Sequence, residues 1–218
     1  MVKKIIILGG SKGLGKSIYD KFKKDETFNV NCFSSKDFNS SSIDSTNQFL
    51  KVHKHTDILV LNTGGPPPIP FKDIKVEDWE KYHKQLFLNF AIILQKLKIS
   101  KGGYIFLISS GHIKEPTENL ILSSVYRVSL ASLLKSYSKI YANKKISTIN
   151  IMPLAFKTNR IKRLLGKELN NFEKNLPFKK FGNPNEIGDF IYFIVKMNIK
   201  YLNGVSINFD GGLSNSLF

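Results

Sequence analysis

Strand-like and helix-like segments alternate along this chain, and that alternation is the strongest constraint on its fold. Short apolar runs bounded by turn residues indicate buried parallel strands, and we predict strands at 3–8, 28–33, 41–44, 57–62, 102–109, 146–152 and 204–209. Helical spacing and capping residues predict helices at 14–24, 45–54, 76–99, 123–143 and 183–197. Such alternation predicts an α/β fold, a doubly wound parallel sheet of about seven strands with helices on both faces. Ligands then bind at the carboxyl ends of the strands.

Length and composition fit one domain spanning residues 1–218. The 218 residues are 42% hydrophobic, enough for a substantial core. Cys32 is the only cysteine, so no internal disulfide can form, which favours a reducing setting. The apolar run at 5–8 is too short for a signal peptide, and no run reaches the roughly 18 apolar residues of a membrane span. We therefore expect a cytoplasmic protein without membrane segments.

The net charge of +16 raises the question of a nucleic-acid partner. It arises from 33 Lys and Arg residues against 17 Asp and Glu residues. The lysines are scattered along the chain, and no zinc-finger, helix-turn-helix or aromatic-basic RNA motif is present. A nucleic-acid role is therefore the least favoured interpretation. A Lys-rich solvated surface that also attracts anionic ligands fits better.

The stretch GGSKGLG at 9–15 directly follows the first predicted strand and opens the first predicted helix. Glycines there allow a tight turn, close approach of a phosphate and close helix packing. Amides at the helix start can hold a pyrophosphate, although the stretch would also suit a plain glycine-rich turn. Its placement favours a Rossmann-type dinucleotide site, to which we assign Gly9, Ser11, Lys12, Gly13, Leu14 and Gly15.

The end of the second predicted strand favours NADP over NAD. An NAD site usually places an acid there to hold the ribose hydroxyls. This chain instead has Ser34, Ser35 and Lys36, with Lys12 in the glycine loop. Two cations and two hydroxyls suit a 2′-phosphate. NAD remains the alternative for two reasons: Asp37 follows Lys36 immediately, and both lysines could simply be solvated.

Several motifs together resemble the short-chain dehydrogenase/reductase family over nearly the whole chain. GGSKGLG is similar to its TGxxxGxG, with Leu8 for the Thr, and LNTG at 61–64 resembles its NNAG. NIMPLAFKT at 150–158 resembles NxxPGxxxT, and the end of the chain resembles the family's C-terminal pattern. Within the family, the chain is most similar to relatives of 3-oxoacyl-(acyl-carrier-protein) reductase. TGGPPP at 63–68 and EPTENLILS at 115–123 are typical of a divergent branch.

The resemblance implies further cofactor contacts. Asp44 would contact the adenine at the end of the third strand, and Asn62, Thr63 and Gly64 would follow the fourth. Pro153 and Thr158 match the Pro and Thr of NxxPGxxxT and would also contact the cofactor. One departure concerns topology, because only about ten residues separate the second strand from Asp44. The helix that usually lies between them is therefore expected to be absent.

The resemblance also implies hydride transfer by a Ser-Tyr-Lys set, and here two of the three residues differ. Ser110 matches the Ser, with Ser109 as a close rival. Family spacing places Ser123 and Arg127 where Tyr and Lys would be. Arg127 would bind the nicotinamide ribose, as the Lys does. Tyr126 is three residues out of register, and we expect it to be a packing residue.

The identity of the proton donor stays open at this point. A serine hydroxyl is a poor donor without an activating partner, and Arg cannot act as an acid near neutral pH. His112 lies just past Ser110 and has a suitable pKa, although an exposed loop histidine is the simpler interpretation. Two functions remain: an NADP(H)-dependent oxidoreductase that reduces a carbonyl, for example a 3-oxoacyl thioester, or an NADP(H)-binding protein with a regulatory role.

Partners follow partly from the pattern and partly from the resemblance. The apolar stretch at 86–94 indicates a helix that is buried or shared between subunits. The resemblance implies that the two long helices form a four-helix contact, so we expect a homodimer or homotetramer. We expect the loop at 64–70 and the basic segment at 157–167 to wall the pocket of a small-molecule carbonyl or alcohol. The basic segment would suit an anionic substrate, such as a phosphopantetheine or a carboxylate, or be simply solvated.

Overall fold

The computed structural model of the chain describes residues 2–217 and contains one parallel sheet. Its six strands are β1 Lys3–Leu8, β2 Phe28–Phe33, β3 His55–Leu61, β4 Lys98–Ile108, β5 Ser147–Pro153 and β6 Val205–Phe209. They lie in the order β2-β1-β3-β4-β5-β6, and every neighbouring pair is parallel. The chain leaves β1 towards β2 on one side and later returns to β3 on the other. A crevice forms at the carboxyl ends of strands at such a point.

Eight α-helices surround the sheet within the described residues. They are α1 Gly13–Phe22, α2 Ile43–Val52, α3 Val76–His83, α4 Asn89–Lys96, α5 Ile121–Ile140, α6 Asn159–Leu165, α7 Leu169–Asn175 and α8 Pro184–Lys196. None of the helices between residues 2 and 217 is long and apolar enough to cross a membrane. The doubly wound α/β fold predicted from the sequence is therefore confirmed.

The two faces of the sheet carry separate hydrophobic cores. Ile6 and Leu8 of β1 pack with α2, α4 and α5 on one face, whereas Ile5 and Ile7 pack with α1 and α8 on the other. All four side chains are fully buried. A central parallel strand is covered on both sides, which is why β1 is a continuous apolar run instead of an alternating one.

The strand predicted at 41–44 is wrong, so the sheet has six strands. Residues 39–42 form turns, and α2 begins at Ile43. Ser42 is the N-cap of α2, and its hydroxyl accepts a hydrogen bond from the Ser45 amide at 3.2 Å. The predicted absence of the helix after β2 is confirmed, and the strand beyond it is missing as well. The connection from β2 to α2 is instead a compact segment anchored by the buried Phe38.

The long helix predicted at 76–99 is interrupted and ends earlier. α3 passes into a π-helical turn at Lys84–Leu88, α4 follows, and β4 already starts at Lys98. A π-turn accommodates one extra residue and occurs frequently at functional sites. Gln85 donates to the Gly64 carbonyl at 2.7 Å, and Asn89 donates to the Ser40 carbonyl at 2.7 Å. The interrupted helix therefore connects the segment after β2, which contains Ser40, to the loop after β3, which contains Gly64.

Close contact between α1 and α8 depends on Gly188, because a Cβ at this position would lie 2.6 Å from the Ser17 carbonyl oxygen. We expect Gly188→Ala to lower the free energy of unfolding by about 1–3 kcal/mol, because backbone cannot move aside as a side chain can. Urea denaturation measures the change. Asn185→Ala, at an exposed position of the same helix, is the control and is expected to stay within about 0.5 kcal/mol. Equal stability of the two variants would contradict the packing argument.

Candidate functional site

A cleft of about 630 Å³ opens at the carboxyl ends of the strands. The glycine loop, the loop after β3, the end of β4, α5 and α6 all contribute to its walls. Most of the residues predicted from the sequence line it: Gly9, Ser11, Lys12, Gly13, Leu14, Ser35, Asn62, Thr63, Gly64, Ser110, Ser123, Arg127, Pro153 and Thr158. Gly15, Ser34, Lys36 and Asp44 do not line it.

The glycine loop is a tight turn closed by direct backbone contact. Gly9 has a φ of +67°, and a Cβ on Gly15 would lie 2.2 Å from the Gly9 carbonyl oxygen. Asn62, just after β3, donates its side-chain amide to that carbonyl at 2.8 Å. Gly15 thus serves packing of α1 against the turn, although it does not face the cleft. Lys12 precedes α1 without a side-chain cap, so the first amides of this helix are available to a phosphate.

Asp37 is engaged in a turn at the end of β2. Its carboxylate accepts hydrogen bonds from the Ser34 hydroxyl at 2.6 Å and the Ser34 amide at 2.8 Å. Both bonds fall on Oδ2, and they lower the pKa of Asp37. The Asp37 carboxylate thus closes the turn with Ser34 at the place where an NAD site usually has a free acid. Lys12 and Ser35 line the cleft, and Lys36, which follows Ser35 in the sequence, is exposed.

Asp44 lies away from the cleft. It is exposed in the first turn of α2 and borders a separate depression with Asn47, Lys51 and Lys54. Because the strand expected at 41–44 does not form, nothing directs Asp44 to the carboxyl edge of the sheet. Residues 38–41 of the compact connection line the cleft instead. Sequence reasoning missed these residues, although the shortness of the connection was the available signal.

Ser109 and Ser110 have different environments at the end of β4. The Ser109 hydroxyl donates to the Ile151 carbonyl of β5 at 3.2 Å and is buried in the sheet. Ser110 is half-buried, and its hydroxyl oxygen accepts from the His112 amide at 3.3 Å. Ser110 keeps its hydroxyl proton available to a ligand, so the geometry favours it over Ser109.

Arg127 is buried in α5 with its guanidinium between the ends of two strands. Its Nη2 donates to the Thr63 carbonyl after β3 at 3.1 Å, and Nη1 donates to the Ile108 carbonyl of β4 at 3.1 Å. Its Nε donates to the Ser123 hydroxyl at 3.2 Å. Burial and the charge of Arg160 lower the pKa of Arg127 to about 10, which leaves it cationic at neutral pH. Ser123 and Arg127 therefore act as one hydrogen-bonded pair on one helix face.

Tyr126 faces away from this pair. Its hydroxyl donates to the Trp79 carbonyl at 3.1 Å, and its ring packs edge-on against the Trp79 ring. Both residues belong to a small apolar cluster with Tyr82, Leu86 and Leu122. The prediction that Tyr126 is a packing residue is confirmed.

His112 lines the cleft in a short 3-10 turn just beyond Ser110. Its side chain is half-buried, and that burial lowers its pKa below the ordinary value. His112 is therefore mostly neutral at neutral pH. A neutral imidazole can accept a proton, but it is a weak acid.

Sequence reasoning did not assign Arg160, although it lay in the basic segment expected to wall the pocket. The side chain extends from α6 to the loop after β3 and donates to the Gly65 carbonyl at 2.9 Å and the Pro66 carbonyl at 2.9 Å. Arg160 is half-buried and lines the cleft. It holds the proline-rich loop against α6, so both walls of the cleft near Ser123 carry a guanidinium.

Comparison with solved structures agrees with this architecture. A short chain dehydrogenase family protein from Francisella tularensis superposes with a TM-score of 0.86 at 19% identity, covering 99% of this chain and 100% of that one. L-Sorbose reductase from Gluconobacter frateurii, complexed with NADPH and L-sorbose, gives a TM-score of 0.84 at 18% identity, covering 99% and 98%. At these identities the likeness shows the fold alone.

Sequence comparison identifies the family. The sequence model described as Enoyl-(Acyl carrier protein) reductase matches residues 37–214, most of the chain. A 3-oxoacyl-[acyl-carrier-protein] reductase of Buchnera aphidicola is 23% identical over 232 aligned positions, covering 95% of each chain. Together with the fold and the arrangement of the cleft, these matches show that the chain belongs to the short-chain dehydrogenase/reductase family, as a relative of 3-oxoacyl-(acyl-carrier-protein) reductase.

Proposed function

We propose that the protein is an NADP(H)-dependent oxidoreductase that reduces the carbonyl group of a small molecule. The observation that carries this proposal is the position of one hydrogen-bonded pair, Ser123 and Arg127, in the same cleft as the glycine turn and Ser110. The Gluconobacter reductase with NADPH and L-sorbose and the Buchnera 3-oxoacyl reductase support a carbonyl substrate. A 3-oxoacyl thioester is one candidate.

The residues of the glycine turn fit a dinucleotide, because a side chain at Gly15 would collide with the Gly9 carbonyl and open the turn. When bound, NADPH would supply the hydride. The first amides of α1 would hold the pyrophosphate, and Lys12 and Ser35, which line the cleft, would hold a 2′-phosphate with the neighbouring Lys36. Arg127 would bind ribose hydroxyls through N–H groups that its three internal hydrogen bonds leave available.

Ser110 and Ser123 would have different roles at the carbonyl oxygen of the substrate. Ser110 would donate a hydrogen bond to this oxygen and polarise the bond. Ser123 would supply the proton, since the adjacent Arg127 cation stabilises the alkoxide that Ser123 becomes. Arg127 keeps its own proton and acts only through its charge. Solvent would then reprotonate Ser123.

The preference for NADPH should depend on Lys12. We expect wild-type protein to bind NADPH more tightly than NADH, and Lys12→Ala to weaken NADPH binding by about tenfold, the value of one charge-assisted hydrogen bond. Fluorescence titration of the reduced nicotinamide measures both affinities. Lys16→Ala is the matched control, because Lys16 lies one turn further along, in the first turn of α1, and pairs with Asp20 at 2.5 Å. No binding at near-millimolar NADPH would refute the proposed function.

The roles of Ser123 and Tyr126 can be separated by substitution. We expect Ser123→Ala to lower kcat by about 10²-fold or more, as loss of a general acid does. Tyr126→Phe removes only the bond to the Trp79 carbonyl and should leave kcat within about twofold. The measurement is NADPH oxidation over 3-oxoacyl thioesters, quinones and aldehydes.

The pH profile of the wild type distinguishes His112 as a rival donor in the same assay. If His112 supplied the proton, kcat would rise as pH falls through its lowered pKa. Donation by Ser123 predicts no such rise, and His112→Gln should then retain kcat. Tight NADPH binding without turnover of any carbonyl would instead indicate the regulatory alternative.

We also propose that the protein is a homodimer or homotetramer assembled through α5 and the helices beside it. Val125 and Val128 of α5 are 40% and 45% exposed, which leaves apolar surface on the helix. We expect light scattering to give two or four times the mass of the 24.8 kDa chain. Replacing both valines by Lys should yield monomer, whereas Val52→Lys, at an exposed position of α2, should not. A monomeric wild type would contradict this assembly.

A further inference from the structure

Positive charge in the cleft is not balanced by acidic side chains. Among the described residues that line the cleft, the charged ones are Lys12, Arg127, Arg160 and Arg163, and none is a carboxylate. The ion pairs within residues 2–217 involve neither Arg127 nor Arg160. Buried charges in folded proteins are ordinarily paired.

Three donor groups converge beside Gly65. The position of a Cβ on Gly65 would lie 3.1 Å from Arg160 Nη2, 3.5 Å from Arg127 Nη2 and 3.5 Å from Ser123 Oγ. The donors come from α5 and α6, which reach the loop from separate directions. Glycine leaves open the space that any side chain would fill among them.

The carbonyl partners of the two arginines accept hydrogen bonds but do not neutralise the positive charges. Arg127 uses three of its N–H groups and Arg160 uses two, so both guanidiniums retain free donors. Neutral carbonyls cannot cancel the repulsion between two nearby cations. Together with burial, the charge of Arg160 lowers the pKa of Arg127. A bound anion would relieve this repulsion, and guanidinium pairs two parallel N–H groups with the two oxygens of a carboxylate.

We propose that the substrate is an oxo acid whose carboxylate binds between Arg160 and Arg127 beside Gly65. This inference rests on the proposed function and names its substrate class. Ser110 and Ser123 would then meet the carbonyl oxygen a short distance along the same molecule. The carbonyl carbon gains a hydride from NADPH and the oxygen gains a proton, so that the C=O π bond is lost. A hydroxy acid and NADP⁺ are the products.

The phosphates of the cofactor are the other source of negative charge. They are expected at the α1 N-terminus and Lys12, after β1, whereas Arg160 contacts the loop after β3. Substitution of Arg160 should therefore alter recognition of the substrate and leave NADPH affinity unchanged.

The test compares oxo acids with their methyl esters. The probes are pyruvate, acetoacetate and levulinate, which place the ketone at increasing distance from the carboxylate, and the methyl ester of each. NADPH oxidation gives kcat/KM for each, and NADPH titration is run first. We expect the wild type to prefer at least one acid over its ester by about tenfold or more.

Arg160→Gln removes the charge and should abolish this preference by raising KM for the acid about tenfold while leaving the ester nearly unchanged. Lys162→Gln is the matched control, because Lys162 is exposed on the same helix and does not line the cleft. It should retain the full preference. Arg160→Lys keeps the charge and should retain part of the preference, which covers the case in which Arg160→Gln fails to fold.

Several results would overturn the inference. Equal kcat/KM for acids and esters in the wild type would show that the protein does not recognise a carboxylate. An equal loss of kcat/KM for both in Arg160→Gln would show that Arg160 only supports the loop. Weakened NADPH binding in Arg160→Gln would indicate that Arg160 binds the cofactor instead of a substrate carboxylate. Stronger inhibition by inorganic phosphate than by acetate would point to a phosphoryl group instead. Failure of the proposed function is distinguishable, because the wild type would then either not bind NADPH or oxidise it with no carbonyl compound, the esters, quinones and aldehydes included.

Discussion

The Arg127 guanidinium, buried between the ends of β3 and β4, is the interaction on which the cleft depends. Taking this cation out of water is costly, and hydrogen bonds to two backbone carbonyls and one hydroxyl offset much of the cost. A planar group with donors on three nitrogens can satisfy all three acceptors at once, which a lysine ammonium on its flexible stem would do less rigidly. Arg127 therefore joins the start of the loop after β3 to the end of β4 and keeps its charge.

The compact connection after β2 changes what surrounds the other half of the cleft. Residues 34–42 join β2 to α2 without a helix or strand of their own, and they are held by side chains from other parts of the chain. Asn89 donates to the Ser40 carbonyl, and the Ser40 and Thr63 hydroxyls lie 3.0 Å apart. These contacts link the connection to the loop after β3. The π-turn between α3 and α4 belongs to the same arrangement, because it contains Gln85 and is followed directly by Asn89.

Local chemistry made part of this site predictable from the sequence. The glycine turn, the α/β alternation and the i, i+4 spacing of Ser123 and Arg127 depend on residues close together in the chain. The stretch at 41–44 was ambiguous, because its serines suit a strand end and a helix cap equally, and the bond between Ser42 and Ser45 decided the outcome. Arg160 could not be assigned, since the carbonyls it contacts lie more than 90 positions away. Its segment was visible only as positive charge.

β2 lies at an outer edge of the sheet. An edge strand offers unpaired backbone groups to any other extended chain, and proteins protect such edges by keeping them short and polar. β2 fits that requirement, because it is six residues long and carries Asn29 opposite Lys4 and Asn31 opposite Ile6 of β1. Asn29 and Asn31 therefore protect this edge against pairing with another chain. Apolar replacements of these two asparagines would expose the protein to strand-mediated aggregation without touching its chemistry.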